Sequence, residues 1–114
     1  MGLDIILESS KKEIFFKNIA YFNVDTEDDI PFNERCQMRT IDLLKNDYEF
    51  LDELGFVVGH ACKDLDNCKY TIVEQEELVE LTRRNLSEEA QQALKKVLEE
   101  VDFKKEIVTI YPWW

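Results

Sequence analysis

The chain has little of several residue types on which common protein chemistries depend. It holds three glycines, two prolines and one histidine in 114 residues. Three glycines are too few for the loops that cradle nucleotide phosphates, and a histidine general base would have to be His60. Basic residues are also scarce, with 14 Lys and Arg against 25 Asp and Glu and a net charge of −11. Direct binding to nucleic acid or to an anionic membrane is therefore not expected, because both depend on Lys and Arg.

Long apolar runs are missing as well. The longest run near the N-terminus is residues 5–7, which lies between two acidic residues. A signal peptide needs about 7–15 apolar residues and a membrane helix about 20. The cysteines are odd in number, Cys36, Cys62 and Cys68, and without an export signal this predicts reduced thiols. The sequence thus predicts a cytoplasmic protein.

Apolar residues make up 45% of the chain, and their spacing predicts four strands. Residues 3–8 and 13–24 are expected to form a hairpin. Residues 69–73 form a further strand, and residues 106–111 form a last one that Pro112 ends.

Helical spacing is found between these strands and before the last one. One helical face is predicted from Met38, Ile41, Leu44, Tyr48 and Leu51. Asp47 could cap a second short helix that Gly55 ends, so residues 33–54 hold either one helix or two. Residues 76–84 are predicted as a helix, and Ser87 caps a final one whose inward face is Ala90, Ala93, Leu94, Val97, Leu98 and Val101. The order predicts one α+β domain over residues 1–114, with a small mixed or antiparallel sheet of about four strands and helices packed on one face.

Negative charge is concentrated in residues 25–53. This segment has ten acidic and three basic residues, a local charge of −7. The acidic residues are Asp25, Glu27, Asp28, Asp29, Glu34, Asp42, Asp47, Glu49, Asp52 and Glu53. One interpretation is a face that binds a basic protein, since complementary charge speeds association and sets specificity. The other is a solvated loop and helix face without a partner.

A metal site is the main chemical alternative. His60, Cys62 and Cys68, with Cys36 elsewhere, are residue types that bind zinc. The spacing His-x-Cys-x5-Cys matches no standard zinc motif, however, and buried thiols explain the cysteines equally well. We therefore expect no metal and no cofactor, and no catalytic residue is assigned.

The sequence ends in Trp113 and Trp114 after Pro112. Exposed aromatic residues are enriched as anchors of protein interfaces, so both tryptophans are candidates for partner binding. Alternatively, one or both indoles fold back over the sheet or a helix. The same pair could also form a homodimer interface.

Three stretches resemble a group of small uncharacterised phage and prophage proteins. They are the opening Met1-Gly2-Leu3-Asp4 before an apolar strand, the short aromatic stretch at residues 19–22, and residues 66–73 running into the helix at 76–81. Segments that the group usually carries after its second strand have no counterpart here. The resemblance implies an accessory protein acting in bacterial cytoplasm, and it assigns no active site.

The sequence therefore favours a non-enzymatic module, encoded by a phage, that binds or inhibits a basic host protein involved in nucleic-acid handling or defence. Two other classes stay open. One is a structural or assembly protein that self-associates through its last strand and the two tryptophans. The other is a small enzyme that depends on a metal or on His60.

Overall fold

The computed structural model of the chain describes residues 2–18, 38–60, 63, 65 and 69–114. The elements in these residues are, in chain order, β1 (Asp4–Lys11), α1 (Lys12–Lys17), β2 (Arg39–Lys45), α2 (Tyr48–Gly59), β3 (Thr71–Val73), α3 (Gln75–Thr82), α4 (Glu88–Glu100) and β4 (Glu106–Trp113). The four strands form one antiparallel sheet in the order β2-β1-β4-β3. The predicted α+β class, with a small sheet of about four strands, is confirmed.

The two central strands, β1 and β4, are paired along all eight residues of each strand. Side chains alternate between the two faces of a strand. One face of this pair therefore carries Ile5 and Leu7 from β1 with Val108 and Ile110 from β4, and all four are buried. This face supports the main hydrophobic core.

Three helices, α2, α3 and α4, cover that face of the sheet. Their inward residues are Phe50, Leu54, Val57 and Val58 of α2, Leu78 and Leu81 of α3, and Ala90, Ala93, Leu94 and Val97 of α4. The predicted start of α4 is confirmed, because Ser87 Oγ accepts the Ala90 N–H at 3.1 Å. The sequence thus predicted the start of α4 and its buried face, although Val101, counted on that face, lies one residue past the end of the helix.

The opposite face of the sheet is also partly apolar. Phe15 of α1 and Ile107 of β4 are buried there, and Met38, Tyr70 and Ile72 pack against them. Within the described residues this second cluster is smaller than the main core, and it gives the sheet apolar contacts on both faces.

The predicted hairpin at the start of the chain is wrong. Residues 13–17 belong to α1, and residues 19–24 lie outside the described residues. β1 instead continues to Lys11 and pairs with β2 and β4. Ile14 and Phe15 are adjacent and both buried, which suits a helical turn better than the alternation of a strand.

The first half of the predicted helix at residues 38–51 is a strand, β2. Its register with β1 shifts between Leu7 and Glu8, where a β-bulge adds one residue to β2. The bulge allows Ile41 and Leu44, three residues apart, both to be buried. A helix buries residues at the same spacing. The pattern therefore fits both a helix and a bulged strand, and here it belongs to a strand.

α2 confirms one predicted boundary and corrects the other. Asp47 is its N-cap, and Asp47 Oδ1 accepts the Phe50 N–H at 3.0 Å. Gly55 does not end the helix, which continues to Gly59. The burial of Val57 and Val58 against the core outweighs the low helix propensity of a single glycine.

β4 also runs further than predicted, through Pro112 to Trp113. Pro112 is paired with Ile5 of β1, whereas the pairing of β4 with β3 ends at Ile110 and Thr71. Proline is tolerated where a strand has a neighbour on one side only. The other two predicted elements are confirmed with shifted limits, residues 71–73 for the strand and 75–82 for the helix.

The β1–β4 pair predicts a clear contrast between two leucines. Leu7 is fully buried in the centre of the sheet, whereas Leu43 of β2 is 41% exposed. We expect Leu7→Ala to lower the free energy of unfolding by about 2–5 kcal/mol, because it leaves a cavity. Leu43→Ala should lower it by less than about 1 kcal/mol. Urea unfolding of both variants measures this, and similar losses would contradict the arrangement of the sheet.

Candidate partner-binding surface

The structure assigns different roles to the acidic residues of the 25–53 segment. Asp25, Glu27, Asp28, Asp29 and Glu34 lie outside the described residues. Two of the others serve the fold. Asp47 caps α2, and Glu53 forms an ion pair with Arg84, with Oε2 3.1 Å from Nη1.

The remaining three acidic residues lie in β2 and α2. Asp42 Oδ1 accepts the N–H of Leu43 at 2.8 Å. Glu49 and Asp52 are exposed on α2 and form no ion pair with any residue in the described part of the chain. Among the described acidic residues of the segment, Glu49 and Asp52 are thus the two whose carboxylates have no hydrogen bond or ion pair to another described residue.

Large aromatic side chains flank these carboxylates. Tyr48 is 53% exposed and Phe56 is 67% exposed. Because α2 buries Phe50, Leu54, Val57 and Val58, its opposite side faces outward, and Tyr48, Asp52 and Phe56 follow one another there at intervals of four residues. The predicted helical face that joined Tyr48 to Ile41 and Leu44 is wrong, since those two residues are buried in β2 whereas Tyr48 begins α2 and is exposed.

The two C-terminal tryptophans are both exposed, Trp113 by 57% and Trp114 by 45%. Trp113 is paired with Asp4 and lies, by strand alternation, on the face of the sheet opposite Ile5. Trp114 instead lies beside the first turn of α2. With Gly2, Tyr48 and Leu51 it lines a pocket of about 340 Å³, called here the Trp114 pocket.

A tight turn positions this pocket. Asn46 adopts a left-handed backbone conformation, with φ of 57°, which asparagine tolerates better than most residues. Its Oδ1 accepts the Leu3 N–H at 3.0 Å, and its own N–H donates to Leu3 O at 2.7 Å. A Cβ at Gly2 would lie 3.1 Å from Asn46 Oδ1, so the close approach of the two segments favours glycine at that position.

A second contact places the start of α4 beside the start of α2. Ser87 Oγ donates to Asp47 Oδ2 at 2.8 Å, which joins the two N-cap residues. Glu49 consequently shares a shallow cleft with Glu88 and Glu89 of α4, which Lys45 of β2 also lines. Acidic residues in a first helical turn are favoured by the helix dipole, so these carboxylates stabilise their helices and also make this end of the molecule acidic.

Of the predicted metal ligands, the described residues include only His60. His60 follows α2 and is exposed, while Cys36, Cys62 and Cys68 lie outside the described residues. Among the residues that the structure describes, no group of three His, Cys, Asp or Glu side chains could hold a metal ion. In the same residues, no helix has the length and apolar character needed to cross a membrane.

Sequence reasoning did not identify Tyr48 and Phe56 as exposed neighbours of Glu49 and Asp52. It also did not place Glu88 and Glu89 at the same end of the molecule as Glu49. Phe56 could have been found, because it falls outside the apolar stripe formed by Phe50, Leu54 and Val57. The proximity of Glu88 and Glu89 to Glu49 depends on the packing of α4 beside α2, and no local pattern indicates it.

No known protein family matches the chain, and comparisons with curated proteins and with solved structures gave no match. The resemblance to phage and prophage proteins therefore stays a prediction. The fold and the surface define a small α+β protein with an exposed face that is both aromatic and acidic.

The link between the two N-caps is testable with a double-mutant cycle. Asp47→Ala and Ser87→Ala should each lower the free energy of unfolding by about 1 kcal/mol, because each removes a cap. Either change also removes the Ser87–Asp47 hydrogen bond. The double variant should therefore lose about 0.5–1 kcal/mol less than the sum of the single variants. Urea unfolding measures all four proteins, and strict additivity would contradict the contact.

Proposed function

We propose that this chain is a non-enzymatic module that binds a basic protein. The partner contacts what we call the α2 surface, which comprises Tyr48, Glu49, Asp52, Phe56 and Trp114. One observation carries this proposal: large exposed aromatic side chains lie next to carboxylates that form no ion pair with any described residue.

Aromatic residues at this exposure favour a binding role. Aromatic residues are enriched in protein interfaces, and tyrosine and tryptophan are among the residues that contribute most to interface affinity. Burial of Tyr48 or Phe56 against a partner would remove an aromatic ring from water. The main core does not use these two side chains, so stability alone does not account for them.

The charge of the molecule supports a basic partner. The net charge of −11 attracts positively charged proteins over a distance of about 8–10 Å at moderate salt and raises their association rate. α2 itself contains three acidic residues and no basic residue. A partner that handles nucleic acid would display the complementary positive surface.

The context of this binding is proposed on the resemblance alone. We propose that the chain is a phage accessory protein acting in bacterial cytoplasm, where it inhibits a host protein involved in nucleic-acid handling or defence. The acidic residues Asp25, Glu27, Asp28, Asp29, Glu34 and Asp42, together with Trp113, stay predicted contributors to the same interaction.

A charge-matched pair of variants tests the proposal. Tagged protein is used to capture partners from bacterial lysate, at low and at high salt, with identification by mass spectrometry. We expect one basic protein to be recovered at low salt and lost at high salt. The double variant Glu49→Gln/Asp52→Asn should fail to capture it, because both free carboxylates of the α2 surface are neutralised.

The matched control is Glu76→Gln/Glu99→Gln. It removes the same charge, also takes one acid from a first helical turn, and alters exposed residues away from the α2 surface. Its capture should equal that of the unmodified chain. Equal loss in both double variants would mean that net charge alone acts. Recovery of the chain itself as the only partner, with light scattering that rises with concentration, would favour self-association instead.

A further inference from the structure

The Trp114 pocket has a composition that restricts what it can bind. Among the described residues it is lined by Gly2, Tyr48, Leu51 and Trp114, none of which has a charged side chain and two of which are aromatic. A charged group placed inside would lose its hydration, which is costly, and would find no side chain of opposite charge among these described residues. A pocket of about 340 Å³ with such a lining favours a large apolar side chain.

The surroundings of the pocket are acidic. Tyr48 is followed directly by Glu49, and Asp52 lies one helical turn further along the exposed side of α2. Both carboxylates are exposed and have no ion pair within the described residues. An apolar side chain that enters the pocket therefore carries its neighbours into a region of negative potential.

We infer that the Trp114 pocket binds a large apolar side chain, aromatic or aliphatic, from a basic segment of the partner protein. Lys or Arg residues that flank this anchor pair with Glu49 and Asp52. The inference rests on the proposed function and adds to it the local sequence that the partner must present, an apolar anchor between basic residues.

Charge complementarity favours this occupant over a second copy of the chain. Two copies meeting through this surface would place Glu49 and Asp52 of one near those of the other, because a twofold interface brings the same patch together. With a net charge of −11 on each copy, that contact is repulsive. A basic segment removes the repulsion and satisfies both carboxylates.

The chain contains its own reporter for the test. Trp113 and Trp114 are its two tryptophans, so Trp113→Phe leaves Trp114 as the only source of tryptophan fluorescence. Three short synthetic peptides are titrated: a phenylalanine flanked by Lys and Arg, the same peptide with alanine in place of phenylalanine, and the phenylalanine flanked by Glu. The first should bind about tenfold or more tighter than the second, since an aromatic side chain is buried, and should shift the emission of Trp114. The third should not bind measurably.

Variants separate the pocket from the charges. Tyr48→Ala should abolish the preference for the phenylalanine peptide over the alanine peptide. Asp52→Asn should weaken both basic peptides by the same factor and leave the preference intact. Leu43→Ala, an exposed apolar residue of β2 outside the pocket, is the control and should change neither quantity.

Each contrary result has a distinct meaning. Equal affinity for the phenylalanine and alanine peptides would overturn the anchor and leave the basic partner of the proposed function in place. Equal affinity for the basic and acidic phenylalanine peptides would overturn the role of Glu49 and Asp52. If no peptide binds while the unmodified chain still captures a basic protein from lysate, the pocket inference is wrong and the proposed function stands. Loss of capture as well would contradict both.

Discussion

The pairing of β1 with β4 is the interaction on which the rest of the molecule depends. These two strands lie at the centre of the sheet and are joined over eight residue pairs. Three helices pack on one face of this pair, and α1 contributes to a smaller cluster on the other. Because the strands are antiparallel, the start of β1 and the end of β4 meet. The pairing therefore brings Gly2 and Trp114 to the same end of the sheet, where α2 begins and completes the pocket.

The sequence predicted best where a pattern has one structural interpretation. The thirteen residues of α4 combine a serine cap with apolar residues at helical spacing, and no strand shares that periodicity. The α+β class was predicted correctly although the predicted order was wrong at α1 and β2. β2 was wrongly predicted as helix because Ile41 and Leu44 have the spacing of a helix, and the bulge lets a strand bury both of them. The site was predicted only in part: acidic residues on α2 were recognised, but their division into a cap, an ion pair and two free carboxylates depends on Ser87 and Arg84. Those contacts join residues 31 to 40 positions apart, beyond the range of local patterns.

The proposed interaction of the α2 surface with a basic partner has a long-range and a short-range component. The net charge acts at a distance and is shared by residues over the whole sequence. The aromatic rings of Tyr48, Phe56 and Trp114 act only on contact, through the removal of apolar area from water. In the proposed interaction, charge alone would attract many basic proteins, whereas the rings and the pocket would discriminate among them by shape. Glu49 and Asp52 belong to both components, because they add to the field and lie beside the rings.

The β-bulge in β2 changes which face of the sheet the preceding side chains of that strand occupy. Leu44 and Asp42 lie on the face of the main core, so an uninterrupted alternation would place Arg39 on the other face. The extra residue reverses the alternation and returns Arg39 to the core side, opposite Ser9. Its guanidinium there donates to Ser9 Oγ at 3.0 Å and to the Glu100 carbonyl at 2.8 Å. A cation is thereby placed at the end of α4, where the helix dipole favours positive charge. A single inserted residue in β2 thus sets which helix terminus receives the charge of Arg39.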